Sequence, residues 1–339
     1  MPSVHLDAPC KINLHLRVKE RRSDGFHELE SIFLALAFGD TLHVEVGNPG
    51  QADGFMAEYG LPPGYKREAG GIFGDIPRRD NSLLKAAALF RARTGFDRPL
   101  RMRLEKRVPM GAGLGGGSSD GAAALLALNE LAKQAGHPKL LDGPGLERAA
   151  AELGSDAPFF LGVLTAGAGG AAWVSGRGER IRPIEGPPDC TVALANPGFP
   201  SHTMEAYRLL DARRNRQGAP LRAGPSERDL IEALRGPPSR WPYENDFLEV
   251  FFEGSDAPSW AYRTILEEMQ SHGADFCGLT GSGSTCFGIF TQGGAAEKAA
   301  EAVRSRGFSL KSGSGCLPER EFFTVLTFPL AYLGKRVLL

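Results

Sequence analysis

Residues 109–119 read Pro109-Met110-Gly111-Ala112-Gly113-Leu114-Gly115-Gly116-Gly117-Ser118-Ser119, and five of these eleven residues are glycine. The preceding stretch, Leu100 to Val108, alternates apolar and charged side chains, which is typical of a half-buried strand. The following stretch, Asp120 to Ala135, is rich in Ala and Leu and ends before Gly136, which predicts a helix. The glycine loop therefore joins a strand to the N-terminus of a helix, with Ser118 and Ser119 as candidates for the N-cap.

Four interpretations of this glycine loop compete. A P-loop requires Lys where Gly117 stands, so that interpretation fails. A Rossmann site requires a buried parallel strand before the loop and a strand after the helix, whereas a second helix, from about Leu146 to Leu153, follows here. A flexible linker would not need a strand and a strong helix at its two ends. An anion cradle is favoured, because glycines let backbone N–H groups approach phosphate oxygens and the helix dipole adds about half a positive charge.

Length and composition limit the class of protein. The 339 residues predict two domains or one large domain. Lys and Arg number 39 against 40 Asp and Glu, and this balance disfavours a nucleic-acid binder. The five cysteines are an odd number without C-x-x-C spacing, which argues against a disulfide framework and a structural zinc site. The N-terminus has neither a basic nor an apolar leader region, so we expect a cytoplasmic protein with no membrane partner. We also expect a monomer or weak homodimer.

The rest of the chain predicts two regions of alternating strands and helices. The first begins with an antiparallel sheet, with strands at 10–18, 31–38 and 41–46 and a turn at Gly39-Asp40, and continues with a helix at 82–94. The pattern restarts near residue 180, with strands or helices at 190–195, 203–210, 260–271, 276–290, 295–306 and 322–326. We interpret 47–80 as a surface excursion and 211–226 as a connector. A domain boundary is expected between residues 165 and 190.

The glycine loop resembles the phosphate loop of the GHMP kinases, which include galactokinase, homoserine kinase and mevalonate kinase. Ala8-Pro9-Cys10-Lys11-Ile12-Asn13-Leu14 resembles the first motif of that superfamily, and residues 279–288, LTGSGSTCFG, resemble its third, which braces the phosphate loop. The resemblance implies a two-domain α+β GHMP kinase fold. A ribosomal-S5-like domain at 1–175 would bind ATP, and a ferredoxin-like domain at 176–339 would complete the substrate cleft. ATP and Mg²⁺ are the implied cofactors.

Finer features are similar to one branch of these kinases. Residues 24–29, DGFHEL, and 153–160, LGSDAPFF, resemble the branch that phosphorylates the 2-hydroxyl of a cytidine-diphosphate-linked methylerythritol in isoprenoid biosynthesis. Residues 196–198 and 203–207 also fit that branch. The sequence departs from it at Phe26, where Tyr is common, and at Ser82. A kinase for a smaller alcohol such as homoserine and a nucleotide-binding protein without catalysis are the alternatives.

The resemblance assigns the reacting groups. Asp156 would be the catalytic base, although its local sequence, with Pro158 close behind, also fits a helix N-cap. Lys11 and Asn13 lie on one face of the first predicted strand, because side chains two apart share a face, and the resemblance places Lys11 beside Asp156. A carboxylate that accepts the proton of the substrate hydroxyl is the protein's main chemical contribution in such a reaction.

The same resemblance assigns the binding residues. Phe26 and His27 would hold the cytosine, although a loop aromatic and a solvated histidine are the commoner fates of such residues. The whole glycine loop, Pro109 to Ser119, would hold the ATP phosphates, with Asn81 and Lys85 near the adenine. The residues that hold Mg²⁺ are not identified by the sequence, and Ser118 and Ser119 are only candidates.

Overall fold

The fold consists of two sheets, whose strands are mostly antiparallel, and of the helices that pack on them. The structure, a computed structural model, describes residues 2–60, 76–166, 170–217, 224–252, 257–313 and 322–330. The first sheet has six strands: β1 (Ser3–Arg21), β2 (His27–Val46), β3 (Gly54–Tyr59), β4 (Leu100–Lys106), β5 (Ala171–Gly176) and β6 (Arg180–Ile184).

Strands β1 and β2 form one long antiparallel ribbon, paired from Ser3 opposite Glu45 to Arg21 opposite His27. The predicted turn at Gly39-Asp40 is wrong, because β2 runs straight through it. Gly39 instead sits where the register shifts, and a Cβ there would lie only 2.7 Å from the Cα of Pro9. A glycine inside a strand pattern marks a bulge as readily as a turn, and here it marks the bulge.

The other strands extend this ribbon. Both β4 and β5 pair antiparallel with β2, and β6 pairs with β5. The predicted excursion at 47–80 is partly wrong, because β3 lies within it and pairs in parallel with β4 at the sheet edge. Its residues alternate between exposed and partly buried, and the sequence GFMAEY has no apolar alternation that would identify a strand. Residues 61–75 of that excursion lie outside the described residues.

Four helices cover the first sheet: α1 (Ser82–Thr94), α2 (Gly116–Gln134), α3 (Gly143–Leu153) and α4 (Ala157–Ala166). The predicted helix at 82–94 is confirmed, and it ends at Gly95 with a left-handed φ of +74°. Helix α2 begins four residues before the predicted start, and its N-cap is Gly115 rather than Ser118 or Ser119. The left-handed φ of Gly115, +71°, turns the loop directly into the helix, a conformation that glycine adopts without steric cost.

The second sheet contains β7 (Thr191–Asn196), β8 (Phe276–Leu279), β9 (Cys286–Phe290) and β10 (Phe323–Thr327), in the antiparallel order β10-β7-β9-β8. Its helices are α5 (Thr203–Gln217), α6 (Glu227–Ala233), α7 (Asp246–Phe252), α8 (Ala257–Ser271) and α9 (Ala295–Gly313). Helix α5 continues seven residues past the predicted end, into the stretch interpreted as a connector. Residues 218–223 of that connector are outside the described part of the chain.

Strand β1 joins the two sheets through a shared core. Its side chains Cys10, Ile12 and Leu14 pack with residues of the second sheet, including Leu194 and Phe287. Lys11 and Asn13 alternate with them on the opposite face, as the period-two pattern predicts. The predicted boundary at 175/176 falls inside β5, before its last residue, and β5 pairs with β6, so the first sheet extends to Ile184.

No helix among the described residues has the length and apolar composition needed to cross a bilayer.

Candidate active site

The glycine loop is held tightly against the second domain. Gly111, Gly113 and Gly115 have left-handed φ values of +62°, +76° and +71°. A Cβ on Gly113 would collide with the carbonyl oxygen of Thr280, and one on Gly115 would lie 2.9 Å from the ring of Phe160. Glycine is therefore required at these positions both by backbone conformation and by space.

A cavity of about 440 Å³ opens over this loop. It is lined by residues from Pro109 to Ser118, by Asn81 and Ser82 at the start of α1, and by Lys106 and Asp120. The structure thus brings Asn81 and nearly all of the predicted loop residues together. Ser119 is fully buried in the first turn of α2, and Lys85 is exposed on α1 and does not line the cavity.

Asn81 also has a structural role. Its Oδ1 accepts hydrogen bonds from the backbone N–H groups of Leu83 and Leu84, at 2.9 and 3.3 Å, and so caps α1. Its Nδ2 is buried and has no partner among the described residues. The capping bonds orient the amide, and the unpartnered Nδ2 leaves a donor for an acceptor on a ligand.

A buried charge cluster beneath the cavity was not identified from the sequence. The Lys106 ammonium pairs with Asp40 and lies 3.1 Å from Oδ2 of Asp120. Oδ1 of Asp40 accepts backbone hydrogen bonds from Arg107 and Val108, at 2.6 and 2.7 Å. Burial raises the pKa of Asp120, and Asp40 raises it further. The cluster ties β2, β4 and α2 together directly below the loop, since a Cβ on Gly116 would lie 3.0 Å from Lys106 Nζ.

Lys11, Asn13 and Asp156 meet beside the glycine loop. The Lys11 ammonium donates a hydrogen bond to Asn13 Oδ1 at 2.6 Å and lies 3.6 Å from Asp156 Oδ2. It also lies 4.6 Å from the centre of the Phe33 ring. Burial lowers the pKa of Lys11, and the nearby Asp156 carboxylate opposes this shift. Asp156 is 27% exposed, so its carboxylate remains accessible to a substrate while the lysine is enclosed.

The third glycine motif reaches this cluster through Thr280. Its hydroxyl accepts a hydrogen bond from the backbone N–H of Asn13 at 3.0 Å. The hydroxyl proton has two acceptors in reach, Asn13 Oδ1 at 3.2 Å and the carbonyl of Gly113 at 3.1 Å. One side chain of the second domain thus bonds both the first motif and the glycine loop.

Phe26 and His27 lie at the tip of the β1–β2 ribbon but have different surroundings. Phe26 is 56% exposed. The side chain of His27 is largely buried, its ring stacks on Tyr207 with centroids 5.0 Å apart, and its Nε2 lies 2.9 Å from Asp211 Oδ1. No role was predicted for the side chains of Tyr207 and Asp211, because they are about 180 residues away from His27 along the chain.

No group of three or more His, Cys, Asp and Glu side chains in the described residues is arranged to hold a metal ion. Two side chains near the loop do carry unpartnered oxygen atoms, Oγ of Ser119 and Oδ1 of Asp120. Both are buried, and a buried oxygen without a partner is costly, so these atoms fit a site completed by a ligand.

Comparisons with known proteins agree with this arrangement. Residues 81–162 match the family "GHMP kinases N terminal domain" and residues 243–309 match "GHMP kinases C terminal". A 4-diphosphocytidyl-2-C-methyl-D-erythritol kinase of Anaeromyxobacter dehalogenans (strain 2CP-1 / ATCC BAA-258) is 37% identical over 88% of this chain and 84% of its own. One of Nitratidesulfovibrio vulgaris (strain ATCC 29579, Hildenborough) is 34% identical over 90% and 96%.

The chain belongs to the 4-diphosphocytidyl-2-C-methyl-D-erythritol kinase family.

Solved structures support the same family. A crystal structure of 4-(cytidine 5'-diphospho)-2C-methyl-D-erythritol kinase aligns with a TM-score of 0.66 at 30% identity, over 96% of this chain and 98% of that one. A homoserine kinase from Cytophaga hutchinsonii aligns with a TM-score of 0.65 at 15% identity, over 98% and 96%, and at that identity shows the fold alone. The GHMP kinase fold is therefore confirmed, and the protein is an ATP-dependent kinase of that superfamily.

Proposed function

We propose that this protein transfers the γ-phosphoryl group of ATP to the 2-hydroxyl of 4-diphosphocytidyl-2-C-methyl-D-erythritol, in the methylerythritol phosphate route to isoprenoid precursors. The observation that carries the proposal is the position of Tyr207. Burial raises the pKa of Tyr207 to about 12, with added contributions from Asp156 and Asp211, and its ring stacks on His27. Tyr207 therefore links the proposed base with the proposed cytosine site, because it lies near Asp156 and contacts His27.

In the proposed reaction, Asp156 accepts the proton of the 2-hydroxyl as the oxygen attacks the γ-phosphorus and ADP leaves. The Lys11 ammonium, fixed by Asn13 at 2.6 Å, orients the Asp156 carboxylate and attracts the charge that develops on the hydroxyl oxygen. General-base assistance of this kind contributes roughly 10²- to 10⁴-fold. Positioning by the two domains supplies the rest, since phosphoryl transfer needs little covalent chemistry from the protein.

The ATP phosphates would bind over the glycine loop, Pro109 to Ser119, with Asn81 beside the nucleotide. The backbone N–H groups in the first turn of α2 are free of intrahelical partners, and the helix dipole favours an anion there. Mg²⁺ would neutralise the negative charge of the ATP phosphates in such a reaction. The hydroxyl of Ser118 and the carboxylate of Asp120, which line the cavity, would hold it, since Oδ1 of Asp120 has no partner in the described residues.

The cytosine would stack on the exposed face of Phe26 and meet the edge of His27, with Tyr207 and Asp211 holding the imidazole in place. A smaller acceptor such as homoserine would leave this aromatic surface unused. The homoserine kinase likeness rests on fold alone, so we favour the cytidine-linked substrate. We further propose a first domain that ends near Ile184, a cytoplasmic location, no nucleic-acid or membrane partner, and a monomer or weak homodimer.

The test is a substrate panel. The purified protein is incubated with Mg²⁺ and ATP and with the cytidine-linked substrate, its uridine counterpart, homoserine or mevalonate, and ADP release is followed. We expect turnover with the cytidine-linked substrate to exceed that with each of the others. A preference for homoserine would reject the substrate but keep the kinase. ADP release with none of these alcohols would reject the proposed function.

A further inference from the structure

Arg177 lies in the tight turn between β5 and β6, beside Phe26 of the proposed cytosine site. We propose that its guanidinium binds the diphosphate of the acceptor substrate and so determines specificity for a nucleoside diphosphate conjugate. This inference rests on the function proposed above and assigns one residue to a part of the substrate that Phe26, His27, Lys11 and Asp156 leave without a partner.

The turn lies beside both the proposed cytosine site and the segment that carries the proposed base. The guanidinium carbon of Arg177 lies 5.1 Å from the centre of the Phe26 ring. The next residue, Gly178, is buried with a φ of +109°, and a Cβ on it would lie 3.3 Å from Cβ of Ser155. Ser155 directly precedes Asp156. Two adjacent residues of one turn therefore lie beside Phe26 and beside the neighbour of Asp156.

The guanidinium of Arg177 makes no ion pair with any residue that the structure describes, and the neighbouring carboxylates are occupied. Glu28 accepts hydrogen bonds from Arg22 at 2.8 Å and from the backbone N–H of Gly176 at 3.1 Å. Glu179 accepts from the backbone N–H of Arg177 itself, at 2.5 Å, and so closes the turn. The exposed positive charge of Arg177 is thus available to a ligand.

The order in which the parts of the substrate are joined places its anionic diphosphate beside this turn. Its cytidine is joined through a diphosphate to the methylerythritol that carries the reacting hydroxyl. With the base on Phe26 and the hydroxyl at Asp156, the diphosphate must pass between them, along the turn that carries Arg177. Lys11 is not available for it, because its ammonium is buried against Asn13 and Asp156. A guanidinium suits the task, since its planar fork donates two parallel hydrogen bonds to phosphate oxygens.

A competing explanation is that Arg177 only supports Phe26 through a cation–π contact. The two explanations differ in which part of the ligand they affect. Loss of a support for Phe26 weakens every ligand that carries cytosine. Loss of a diphosphate contact weakens only ligands that carry the diphosphate. Cytidine and cytidine diphosphate (CDP) therefore separate them.

The experiment measures the dissociation constants of cytidine and CDP by calorimetric titration, with a saturating non-hydrolysable ATP analogue and Mg²⁺ present to keep CDP out of the glycine loop. The variants are Arg177→Met and Arg177→Lys, and Arg180→Met is the matched control, because it removes an exposed arginine from the same hairpin. Wild-type protein should bind CDP about tenfold or more tighter than cytidine, the preference expected of charge-assisted hydrogen bonds. Arg177→Met should bring this ratio close to one, Arg177→Lys should keep part of it, and Arg180→Met should leave it unchanged.

Kinetics complete the test. In Arg177→Met the KM for the cytidine-linked substrate should rise by about tenfold while the KM for ATP stays the same. An unchanged CDP-to-cytidine ratio in Arg177→Met, or an equal loss for both ligands, would overturn the diphosphate role. If the wild-type protein fails to phosphorylate the cytidine-linked substrate, the proposed function itself is rejected. If the wild-type protein phosphorylates it and Arg177→Met has the same kinetics and the same ligand affinities, only the diphosphate role of Arg177 is rejected.

Discussion

The hydroxyl of Thr280 accepts a hydrogen bond from the backbone N–H of Asn13 at 3.0 Å, although the two residues are 267 positions apart. Thr280 thereby connects the loop between β8 and β9 with the strand that carries Lys11. Its second bond, to Asn13 Oδ1 or to the carbonyl of Gly113, connects the same hydroxyl with the amide that fixes the lysine or with the glycine loop.

Thr280→Val should test this connection. Valine keeps the shape but leaves the buried N–H of Asn13 without an acceptor, at a cost of about 1–3 kcal/mol. Part of that cost should raise the free energy of the transition state, in which Lys11 and the glycine loop must be aligned, so we expect kcat to drop by about tenfold. Thr280→Ser keeps the hydroxyl and is the control, with kinetics near wild type. Equal activity of the Val and Ser variants would mean that the hydroxyl has no positioning role.

Asp156→Asn should separate the proposed base from a structural residue. The amide keeps the shape of the side chain but does not accept the proton, so turnover should fall by at least ~100-fold while ATP still binds. Removing the carboxylate also leaves Lys11 without its ionic partner at 3.6 Å, so the melting temperature is measured alongside the rate. A folded variant with near-wild-type turnover would exclude Asp156 as the base.

Gly115→Ala and Gly117→Ala form a matched pair in the glycine loop. Alanine at 115 must adopt a φ near +71°, which costs about 1–2 kcal/mol, and its Cβ meets Phe160 at 2.9 Å. Gly117 is helical, and a Cβ there meets only Ser82 Oγ, at 3.4 Å, so alanine should stabilise the helix by about 0.5–1 kcal/mol. Calorimetric unfolding should therefore show a lower melting temperature for the first variant and an equal or higher one for the second. ATP affinity should fall in Gly115→Ala, and the opposite order of melting temperatures would contradict the loop geometry.

Phe26→Ala should weaken the cytidine-linked substrate. Loss of one base–aromatic stack costs about 1–3 kcal/mol, which we expect to appear mainly in KM for this substrate. Phe26→Tyr keeps the aromatic face and is the control, with nearly unchanged kinetics. Because Phe26 lies at the ribbon tip and not over the glycine loop, the KM for ATP should be the same in both variants. Unaltered substrate kinetics in Phe26→Ala would remove Phe26 from the cytosine site.

His15 should make the fold sensitive to acid. Burial lowers its pKa to about 4, and its Nδ1 accepts a hydrogen bond from the backbone N–H of Glu244 at 3.2 Å. Between pH 6.5 and 4 the unfolded chain binds a proton at this histidine and the folded chain does not, so stability falls as the pH falls. The full loss amounts to about 3 kcal/mol.

Urea unfolding at pH 7 and at pH 4.5 measures this effect. His15→Asn keeps an acceptor for Glu244 but does not titrate in this range, so its stability should depend less on pH than that of wild type. His202→Asn removes an exposed histidine and controls for the loss of one imidazole. Parallel pH dependences for wild type and His15→Asn would contradict the prediction.

Local patterns predicted much of the secondary structure. The helix at 82–94 was found with its bounds because its apolar residues recur at helical spacing and Gly95 ends it, and in the structure Asn81 caps its other end. Features that depend on the approach of distant segments were missed. Gly39 forms a bulge and not a turn because it faces Pro9 across the ribbon, and Gly115 caps α2 because Phe160 and Lys11 close the space around it.

In the candidate site, too, residues with a local sequence signal were predicted and contacts between distant segments were missed. Lys11, Asn13 and Asp156 were singled out by their motifs, and the structure brings them together, but their roles remain predictions. The partners of His27 and the cluster around Lys106 had no local signal, since a strand lysine next to a polar turn gives no sign of its burial. Charges that pair across 66 residues, as Lys106 and Asp40 do, are visible only when the fold is known.

The β1–β2 ribbon carries Lys11 in its middle and His27 near its tip, ten strand positions from Lys11 if the register is followed to Arg21. A regular strand would separate such positions by roughly 33 Å. Lys11 contacts Asp156, Asp156 is close enough to Tyr207 to raise its pKa, and Tyr207 stacks on His27. These side chains connect the two positions along a ribbon whose register shifts at Asn13/His15 and Val18/Arg21. The length of the ribbon therefore sets how long an acceptor must be to touch both ends, and lengthening or shortening it by a pair of residues would select acceptors of a different reach.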